Sequence, residues 1–420
     1  MMIHARDFFA RMTEMLISNL DMLGLLIADF HLWLDELMLT IPNLWHAYSS
    51  IVELTTSFDI SKIKMSAVLA APFDPKITGT LFVALAYYPH KLKSILPIKI
   101  QPYITSSYFI QALKVLLVFG ILRVINRKLS QLVLNNWKGH AKFVKSQELV
   151  LITGASSGIG EIIARDFSSN GVKVVAIDVN PPKNPFPSNV FYYQVDITSS
   201  SQIASAASEI RKNHGDPTVI INNAGIASGQ SILEGTEAQT RRIFDVNTIS
   251  HFLMAREFLP AMIKKNHGHV VTIASMASYL VHAANVDYSC SKASALAFHE
   301  GLASELRVRY NAPNIRTTVV NPSWVRTPLI EDLIAQPTFK DPVLDPRTVT
   351  NAIVNQVLSG RSGHILLPSE MHIVSTIRAW PWWLQTSLRN MIAPTLLFVR
   401  NPAQNESTEH MGGVAPATST

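Results

Sequence analysis

Residues 149–160 read Leu-Val-Leu-Ile-Thr-Gly-Ala-Ser-Ser-Gly-Ile-Gly, and this stretch decides the fold that the sequence predicts. Its first five residues form an aliphatic run typical of a buried strand, and a helical pattern follows the glycines. Glycines let the backbone approach an anion closely, while the start of a helix offers free N–H groups and a positive dipole end. This order of strand, turn and helix predicts a pyrophosphate site made by Thr153, Gly154, Ser156, Ser157, Gly158, Ile159 and Gly160.

The sequence beyond this turn alternates short apolar runs with helical stretches. We predict strands at residues 149–153, 172–178, 190–195, 218–222, 269–274, 315–320 and 364–368. These runs are apolar nearly throughout, which is typical of parallel strands buried on both faces. The expected fold class is therefore α/β, a doubly wound parallel sheet of the Rossmann type, preceded by a hydrophobic, mainly helical N-terminal region.

Asp178 ends the second predicted strand. A carboxylate at this place accepts hydrogen bonds from the hydroxyls of an adenosine ribose and repels a 2′-phosphate. The glycine turn itself contains no lysine or arginine. We therefore expect NAD in preference to NADP, and the alternative for Asp178 is a turn or cap residue.

The spacing Thr-Gly-x-x-x-Gly-x-Gly, followed by Asn222-Asn223-Ala224-Gly225 after the fourth predicted strand, resembles the classical short-chain dehydrogenase/reductase family. The resemblance covers about residues 147–370. It implies that residues 222–225 support the central sheet and line the cofactor cleft. It also implies that Asp196, together with Ile197, lies near the adenine.

A further part of the resemblance lies after the sixth predicted strand, in Asn-Pro-Ser-Trp-Val-Arg-Thr-Pro at residues 321–328. Many relatives fix the nicotinamide amide with this loop, which implies cofactor contacts by Pro322, Val325 and Thr327. Ser323 replaces the usual glycine, so the resemblance leaves the conformation of the loop open.

Tyr288 and Lys292 lie four residues apart in a helical stretch, which places the phenol and the ammonium on one face. A free tyrosine is too weak an acid for proton transfer at neutral pH by about three units, and a nearby cation favours the phenolate. Ser275, 13 residues before Tyr288, and Asn247 stand where the resembled family has its other catalytic residues. The neighbouring serines Ser278, Ser289 and Ser291 are expected to be structural.

The resemblance assigns a role to each of the four residues. Tyr288 is the general acid/base, and Ser275 orients and polarises the substrate oxygen. Lys292 lowers the pKa of the tyrosine and holds the nicotinamide ribose. Asn247 anchors a water of the proton relay. Tyr288 and Lys292 are thus also expected to contact the cofactor.

We expect four regions along the chain: a hydrophobic N-terminal region at 1–146, a catalytic domain at 147–370, an apolar extension at 371–400 and a disordered tail at 401–420. The extension contains Trp380, Trp382 and Trp383. These side chains are interpreted as membrane-interface residues, with a hydrophobic lid or a dimer contact as the equally weighted alternative.

The N-terminal region contains three apolar stretches. Residues 104–122 contain one charge and end against a basic run, which makes them the best candidate for a membrane span. A buried or surface-lying helix is the alternative, because the central Lys114 is unfavourable in lipid. Residues 16–39 fit an amphipathic helix, and residues 76–88 are too short for a full span. The basic run after the span predicts that the catalytic domain faces the cytosol.

Composition narrows the class of partner. Hydrophobic residues make up 48% of the 420 residues and charged residues 16%, which favours contact with a membrane. The net charge of +6 is not accompanied by a nucleic-acid-binding motif, so no nucleic acid is expected. The chain has a single cysteine, Cys290, and its histidines show no ligand spacing, so no metal site is expected.

The form Pro-x-aromatic-Val-x-Thr at residues 322–327 is similar to that of membrane-associated retinol and 17β-hydroxysteroid dehydrogenases. This resemblance implies a membrane-associated NAD(P)-dependent oxidoreductase for a lipophilic alcohol or carbonyl, such as a sterol, a retinoid or a fatty alcohol. The expected membrane is that of the endoplasmic reticulum or a lipid droplet. Residues 329–345 are expected to form a substrate lid. A homodimer is compatible with the resemblance. The alternative is a nucleotide-binding membrane or lipid-droplet scaffold with little turnover.

Overall fold

The computed structural model describes residues 71–90, 96, 98, 101–337 and 339–397. The chain divides into two compact units between Arg127 and Lys128, and the second unit contains all seven strands described below. The predicted amphipathic helix at residues 16–39 and the predicted tail at 401–420 lie outside the described residues.

Seven parallel strands form one sheet. They are β1 (Leu149–Thr153), β2 (Lys173–Asp178), β3 (Val190–Gln194), β4 (Val219–Asn222), β5 (Gly268–Ile273), β6 (Ile315–Pro322) and β7 (Gly363–Leu367). Their spatial order is β3-β2-β1-β4-β5-β6-β7, so the chain changes direction across the sheet between β1 and β4. This confirms the predicted doubly wound sheet, and the predicted strand ends agree with the observed ones within two residues. Folds of this type bind ligands at the carboxyl ends of the strands beside that change of direction.

Helices connect the strands and cover both faces of the sheet. The described helices are α1 (Pro75–Tyr87), α2 (Gln101–Ile104), α3 (Ser107–Leu134), α4 (Gly158–Ser169), α5 (Ser200–His214), α6 (Glu237–Phe244), α7 (Ser250–Lys265), α8 (Val286–Val308), α9 (Glu331–Ile334), α10 (Pro346–Leu358), α11 (Trp382–Ile392) and α12 (Pro394–Leu397). Short 3₁₀ turns lie at Ala71–Phe73, Met276–Ser278, Pro328–Ile330 and Ser369–Ala379, and a π turn joins α6 to α7 at Asp245–Ile249.

Two hydrophobic cores lie on opposite faces of the sheet, because neighbouring residues of a strand point to opposite sides. On one face, Leu151 of β1 belongs to a cluster with Phe258 of α7 and Leu302 of α8. On the other face, Ile152 belongs to a cluster with Ile163 of α4. Burial on both faces explains why the strand sequences lack polar alternation.

The described part of the first unit is helical. Leu85 of α1, Ile104 of α2 and Leu113 of α3 form a small buried cluster. Among the described residues, α3 is the helix whose 28 residues and apolar composition suffice to cross a membrane. At about 1.5 Å per residue it exceeds the roughly 30 Å of a hydrocarbon core.

The predicted span at 104–122 overlaps α3 but has different ends. Ile104 belongs to the preceding short helix α2, and α3 begins at Ser107. At the other end α3 continues beyond the basic residues to Leu134. Residues 123–134 contain no glycine or proline, the residues that most often end a helix, which explains the extension.

Residues that follow α3 pack on the amino-terminal edge of the sheet. Arg316 of β6 is 1% exposed, and its guanidinium donates hydrogen bonds to the carbonyl oxygens of Asn135 and Gly139. The side chain of Asn135 also accepts a 2.8 Å hydrogen bond from the N–H of Ser362. The second unit therefore includes residues that precede the predicted domain start at 147. The predicted boundaries at 146, 370 and 400 stay predictions.

Glu148 and His267 form a partly buried pair at the same edge, with both carboxylate oxygens 3.1 Å from His267 Nε2. The hydrogen bond from Glu148 raises the pKa of His267 above 6.5, against the effect of burial. Burial opposes ionisation of Glu148, but hydrogen bonds with His267 and Thr218 outweigh it and lower the pKa of the carboxyl below 4.5. The His267 contribution to stability is full below about pH 6.5 and is lost as pH rises through the folded pKa, while the Glu148 contribution is lost as pH falls.

We expect His267→Gln to lower the thermal unfolding temperature most near pH 5.5 and least near pH 8.5. A partly buried pair of this kind contributes roughly 1 kcal/mol, or about 2–4 °C for a domain of this size. Thermal unfolding at the two pH values measures the difference. An equal decrease at both values would show that the protonated imidazole does not stabilise the fold.

The C-terminal extension packs on the sheet edge with one side and exposes the other. Ile377 is fully buried in a cluster with Met276 and Leu366, and Arg378 Nη2 donates a 2.7 Å hydrogen bond to the carbonyl oxygen of Ser278. Trp382 and Trp383 of α11 are 78% and 56% exposed. The extension therefore presents an aromatic surface to its surroundings.

Candidate active site

The turn between β1 and α4 has the shape that its glycines predict. Gly154 and Gly158 have φ angles of +64° and +56°, in the left-handed region that favours glycine. A Cβ at Gly160 would overlap the carbonyl oxygen of Gly154 and lie 2.6 Å from Asn223 Nδ2. Ser157 precedes α4 and makes no capping hydrogen bond to it, so the first N–H groups of α4 stay available to an anion.

Side chains behind this turn hold it against β4. Thr153 Oγ1 accepts hydrogen bonds of 3.1 Å from the N–H groups of both Asn223 and Ala224. Asn223 Nδ2 donates to the carbonyl oxygens of Thr153 at 2.9 Å and Gly154 at 3.0 Å. A Cβ at Gly154 would lie 2.8 Å from Ala224 Cα. The turn and the segment after β4 therefore form one closely packed support.

Asp178, at the end of β2, holds the same turn from the other side. Its Oδ2 accepts from the N–H of Ser156 at 2.9 Å, and its Oδ1 accepts from the N–H of Asn180 at 3.0 Å. The hydroxyl of Ser156 donates to the carbonyl oxygen of Asn180 at 2.6 Å. A carboxylate has about four acceptor positions, so Asp178 keeps capacity for further donors. Asp178 thus stabilises the turn, and it also lies at the end of β2, where a ribose acceptor is expected.

Asp196 and Ile197 follow β3. Asp196 Oδ1 accepts from the N–H and the hydroxyl of Thr198, and Oδ2 lies 3.3 Å from Arg242 Nη1. Burial raises the pKa of Asp196, but these hydrogen bonds outweigh it, and the net pKa is lowered. Ile197 is 7% exposed and belongs to the core cluster of Leu151, so its side chain packs inside the domain.

The loop after β6 closes on the glycine turn. A Cβ at Gly158 would lie 3.5 Å from Thr327 Cβ, and Thr327 Oγ1 donates to the carbonyl oxygen of Val325 at 3.2 Å. Val325 is buried and pairs with Leu344 in an isolated parallel bridge. The predicted contacts Val325 and Thr327 thus lie on a loop beside the glycines, despite Ser323 in place of glycine.

The predicted substrate lid lies against the same loop. Trp324 Nε1 donates to Asp341 Oδ2 at 3.1 Å, and the indole ring makes an edge contact with Phe339 at 5.6 Å between centroids. His282 contacts the other side of Trp324, also at 5.6 Å. His282 lies in the loop after β5, so Trp324 connects that loop with the segment 329–345.

Ser275 and Tyr288 meet at the carboxyl end of β5. Ser275 is the N-cap of the turn that follows β5, and its Oγ accepts from the N–H of Ala277 at 3.1 Å. The hydroxyl donates to the carbonyl oxygen of Pro322 at 3.4 Å. Burial raises the pKa of the Tyr288 phenol, and the nearby Ser275 hydroxyl acts in the opposite direction. The structure therefore brings together the two side chains that are expected to contact a reacting oxygen.

Lys292 lies one helical turn after Tyr288 in α8. It is 3% exposed, its Nζ donates to the carbonyl oxygen of Ile273 at 2.9 Å, and burial lowers its pKa to about 8. The ammonium lies 5.7 Å from the centroid of the Tyr288 ring. Because burial dominates at the phenol, a lowering of the tyrosine pKa by Lys292 stays a prediction.

Asn247 lies in the π turn between α6 and α7 and is fully buried. Its carboxamide bonds the backbone of Ile226 twice, from the N–H to Oδ1 and from Nδ2 to the carbonyl, both at 2.8 Å. Nδ2 also donates to Ser291 Oγ at 2.9 Å, and Ser291 donates to the carbonyl oxygen of Tyr288 at 2.7 Å. π turns inside helices are frequent at functional sites.

Gly225 lies against both Lys292 and Asn247. A Cβ there would lie 3.2 Å from Lys292 Nζ and 3.5 Å from Asn247 Oδ1. The sequence did not identify Ile226 or Ser291 as links in this network. Ile226 takes part through its backbone, which its residue type does not reveal. Ser291 was expected to be structural, although its position next to Lys292 was a signal that it could belong to this network.

The fold and the site define a class of protein: an oxidoreductase with a Rossmann-type sheet and a serine, tyrosine and lysine site. A family model described as short chain dehydrogenase matches residues 148–338. "Dehydrogenase RED2" of Cochliobolus heterostrophus is 46% identical over 211 residues, which cover 48% of this chain and 80% of that protein. "Estradiol 17-beta-dehydrogenase 11" of Macaca fascicularis is 34% identical over 220 residues, covering 50% and 72%.

"Epidermal retinol dehydrogenase 2" of Mus musculus is 32% identical over 241 residues, which cover 55% of this chain and 77% of that protein. The chain belongs to the short-chain dehydrogenase/reductase family, in the retinol and 17β-hydroxysteroid dehydrogenase branch. It is therefore an oxidoreductase that acts on CH–OH groups. This confirms the resemblance that the glycine spacing and the catalytic positions predict.

Proposed function

We propose that the chain uses a nicotinamide dinucleotide, with NAD preferred to NADP. The glycine turn at residues 154–160 supports this, because the left-handed φ angles of Gly154 and Gly158 and the close packing at Gly160 make a tight turn that presents the start of α4. Asp178 supports the preference for NAD by its charge at the end of β2. When bound, the nicotinamide ring supplies the hydride donor or acceptor of the reaction.

In this proposal, side chains of the protein transfer the proton of the substrate hydroxyl. In oxidation the Tyr288 phenolate takes the proton of an alcohol, in reduction the Tyr288 hydroxyl gives its proton to a carbonyl oxygen, and the Ser275 hydroxyl orients that oxygen. The buried Lys292 ammonium stabilises negative charge on the phenol. The observation that carries the proposal is the proximity of Ser275 to Tyr288, which lies one turn before Lys292, beside the glycine turn.

We further propose a lipophilic substrate and attachment to a membrane, either the endoplasmic reticulum or a lipid droplet, with the catalytic domain in the cytosol. The apolar helix α3 supports attachment, because Val115, Phe119 and Leu122 are each more than half exposed. The exposed Trp382 and Trp383 suit a membrane interface. The names of the steroid and retinol dehydrogenase relatives support a lipophilic alcohol. A homodimer through α7 and the π turn before it is part of the proposal, since Phe252 and Ile249 are exposed there.

The test of the catalytic part is turnover by the full-length protein in detergent. Oxidation of sterols, retinols and long-chain alcohols, and reduction of the matching carbonyls, would be followed by nucleotide absorbance with NAD and NADP in parallel. We expect turnover with at least one apolar substrate and a higher kcat/KM with NAD. Nucleotide binding without turnover on the whole panel would favour the scaffold function instead.

We expect Asp178→Ser to change the ratio of kcat/KM for NAD over NADP by about 10- to 100-fold towards NADP. The substitution removes the negative charge that repels the 2′-phosphate of NADP. It also removes a charged acceptor for the ribose hydroxyls of NAD, and each loss changes the ratio in the same direction. Because Asp178 also holds the turn through Ser156 and Asn180, the ratio and not the absolute rate is the measurement. Equal losses with both nucleotides would assign Asp178 to the turn alone.

We expect removal of residues 1–127 to release a substantial fraction of the protein from membranes in cell fractionation. The deletion ends at Arg127 because Asn135 and Gly139 hold the buried Arg316, so a longer deletion would damage the second unit. Exchange of Trp382 and Trp383 for serine in the same truncated protein measures the contribution of the C-terminal extension to membrane association. Membrane association that withstands both changes would contradict the proposed attachment.

A further inference from the structure

His251 is a buried polar residue that the proposed chemistry does not use. It lies in α7, is 2% exposed, and precedes Met254 and Phe258 on the inward face of that helix. An imidazole carries either one donor and one acceptor or two donors. Both of its ring nitrogens are buried without a hydrogen-bond partner among the described residues. Buried polar atoms in this state are rare and call for an explanation.

Two further buried polar atoms lie on the sheet beneath α7. Asn222 and Thr272 are directly paired in the register of β4 with β5. Their side chains point to the face covered by α7, because Ile220 and Val270, two residues earlier on each strand, belong to the core cluster on that face. Asn222 Oδ1 and Thr272 Oγ1 are also buried without a partner among the described residues. Three polar side chains thus face the same core, His251 from α7 and Asn222 and Thr272 from the sheet, and we refer to them as the polar layer.

Lys292 is next to this layer. Its Nζ donates to the carbonyl oxygen of Ile273, the residue after Thr272. Burial, and then the charge of Lys292, lower the pKa of His251 to about 3, so the imidazole is neutral and keeps an acceptor. An ammonium has three donors, and the bond to Ile273 uses one of them.

We propose that His251, Asn222 and Thr272 bind internal water beside Lys292, and that His251 is a positioning residue that holds the Lys292 ammonium through this water. Internal water typically makes about three hydrogen bonds to otherwise unsatisfied polar groups, which is what this layer offers. The inference rests on the proposed function, because it gives Lys292 a catalytic role. It adds a polar support on the inner side of the domain, distinct from the Asn247 network at Ile226 and Ser291.

The experiment compares His251→Leu with His251→Gln in the full-length protein in detergent. Leucine removes the polar atoms at similar size, whereas glutamine keeps a donor and an acceptor. We expect His251→Leu to lower kcat about 10- to 100-fold, the scale of one lost hydrogen bond to a charged group, with the KM for the nucleotide within about threefold. We expect it also to lower the thermal unfolding temperature, and His251→Gln to retain most of kcat.

His299→Leu is the matched control. His299 of α8 is also buried, and its Nδ1 also has no partner among the described residues, but the charge that lowers its pKa to about 4 after burial is that of His364 and not that of Lys292. We expect kcat to stay within about twofold of the wild type in this variant. A large loss of kcat in His299→Leu would show that any change in this core disturbs the site, and would overturn the specific role of His251.

Two other results would overturn the proposal. Unchanged kcat and a higher unfolding temperature in His251→Leu would show an unpartnered imidazole that only destabilises the core. Equal losses in the leucine and glutamine variants would show that ring shape and not hydrogen bonding matters. If the wild type binds nucleotide without turnover, the proposed function fails, and the stability of the leucine variant relative to the glutamine variant still decides whether the layer holds water.

Discussion

Tyr288→Phe is expected to lower kcat by about 10²- to 10⁴-fold, the range that a positioned general acid/base contributes. The substitution removes a single oxygen, the one that meets Ser275, and leaves the ring that packs near Lys292. Nucleotide affinity is expected to stay within about threefold, because the glycine turn and Asp178 are untouched. Steady-state rates and nucleotide titration of the two proteins measure both quantities.

Tyr279→Phe is the matched control for this loss. Tyr279 is a buried tyrosine close to Ser275 in sequence, but its hydroxyl lies 2.8 Å from His364 Nε2. Its loss is expected to reduce stability by about 1 kcal/mol and to leave kcat within about twofold. If Tyr288→Phe retained kcat, the proton would have to be moved by another group, and the proposed use of the Ser275, Tyr288 and Lys292 site would be wrong.

The parts of this site that follow from sequence are those with a fixed spacing inside one element. The glycines of residues 154–160 can be placed because their backbone geometry is local to one turn. Tyr288 and Lys292 can be placed on one helix face because helical spacing is regular. The apolar strand runs likewise predict a parallel sheet, since burial on both faces excludes polar alternation.

The parts that do not follow depend on which elements come together. The side chain of Asn247 acts through the backbone of Ile226, which any residue type would provide. The polar layer of His251, Asn222 and Thr272 requires the register of β4 with β5 and the inward face of α7. The hydrogen bond from Arg316 to the carbonyl oxygen of Asn135 connects positions far apart in sequence, and no local pattern predicts it.

Gly160→Ala is expected to weaken nucleotide binding by at least about 100-fold. The added methyl group would overlap the carbonyl oxygen of Gly154 and lie 2.6 Å from Asn223 Nδ2, and neither neighbour is the free end of a flexible side chain. The turn must therefore move, which withdraws the backbone and the start of α4 from the phosphates. Titration of the full-length protein with NAD, followed by tryptophan fluorescence, measures the change.

Gly301→Ala is the matched control, because a Cβ at this position of α8 would meet no atom within 4 Å. It is expected to leave nucleotide affinity unchanged and to raise stability by up to about 1 kcal/mol through helix propensity. Gly160→Ala is also expected to lower the unfolding temperature, since overpacking costs about 1–3 kcal/mol, so binding is compared well below both transitions. Wild-type affinity for NAD in a folded Gly160→Ala protein would show that these glycines serve close packing of β1, α4 and Asn223, and that the nucleotide binds elsewhere.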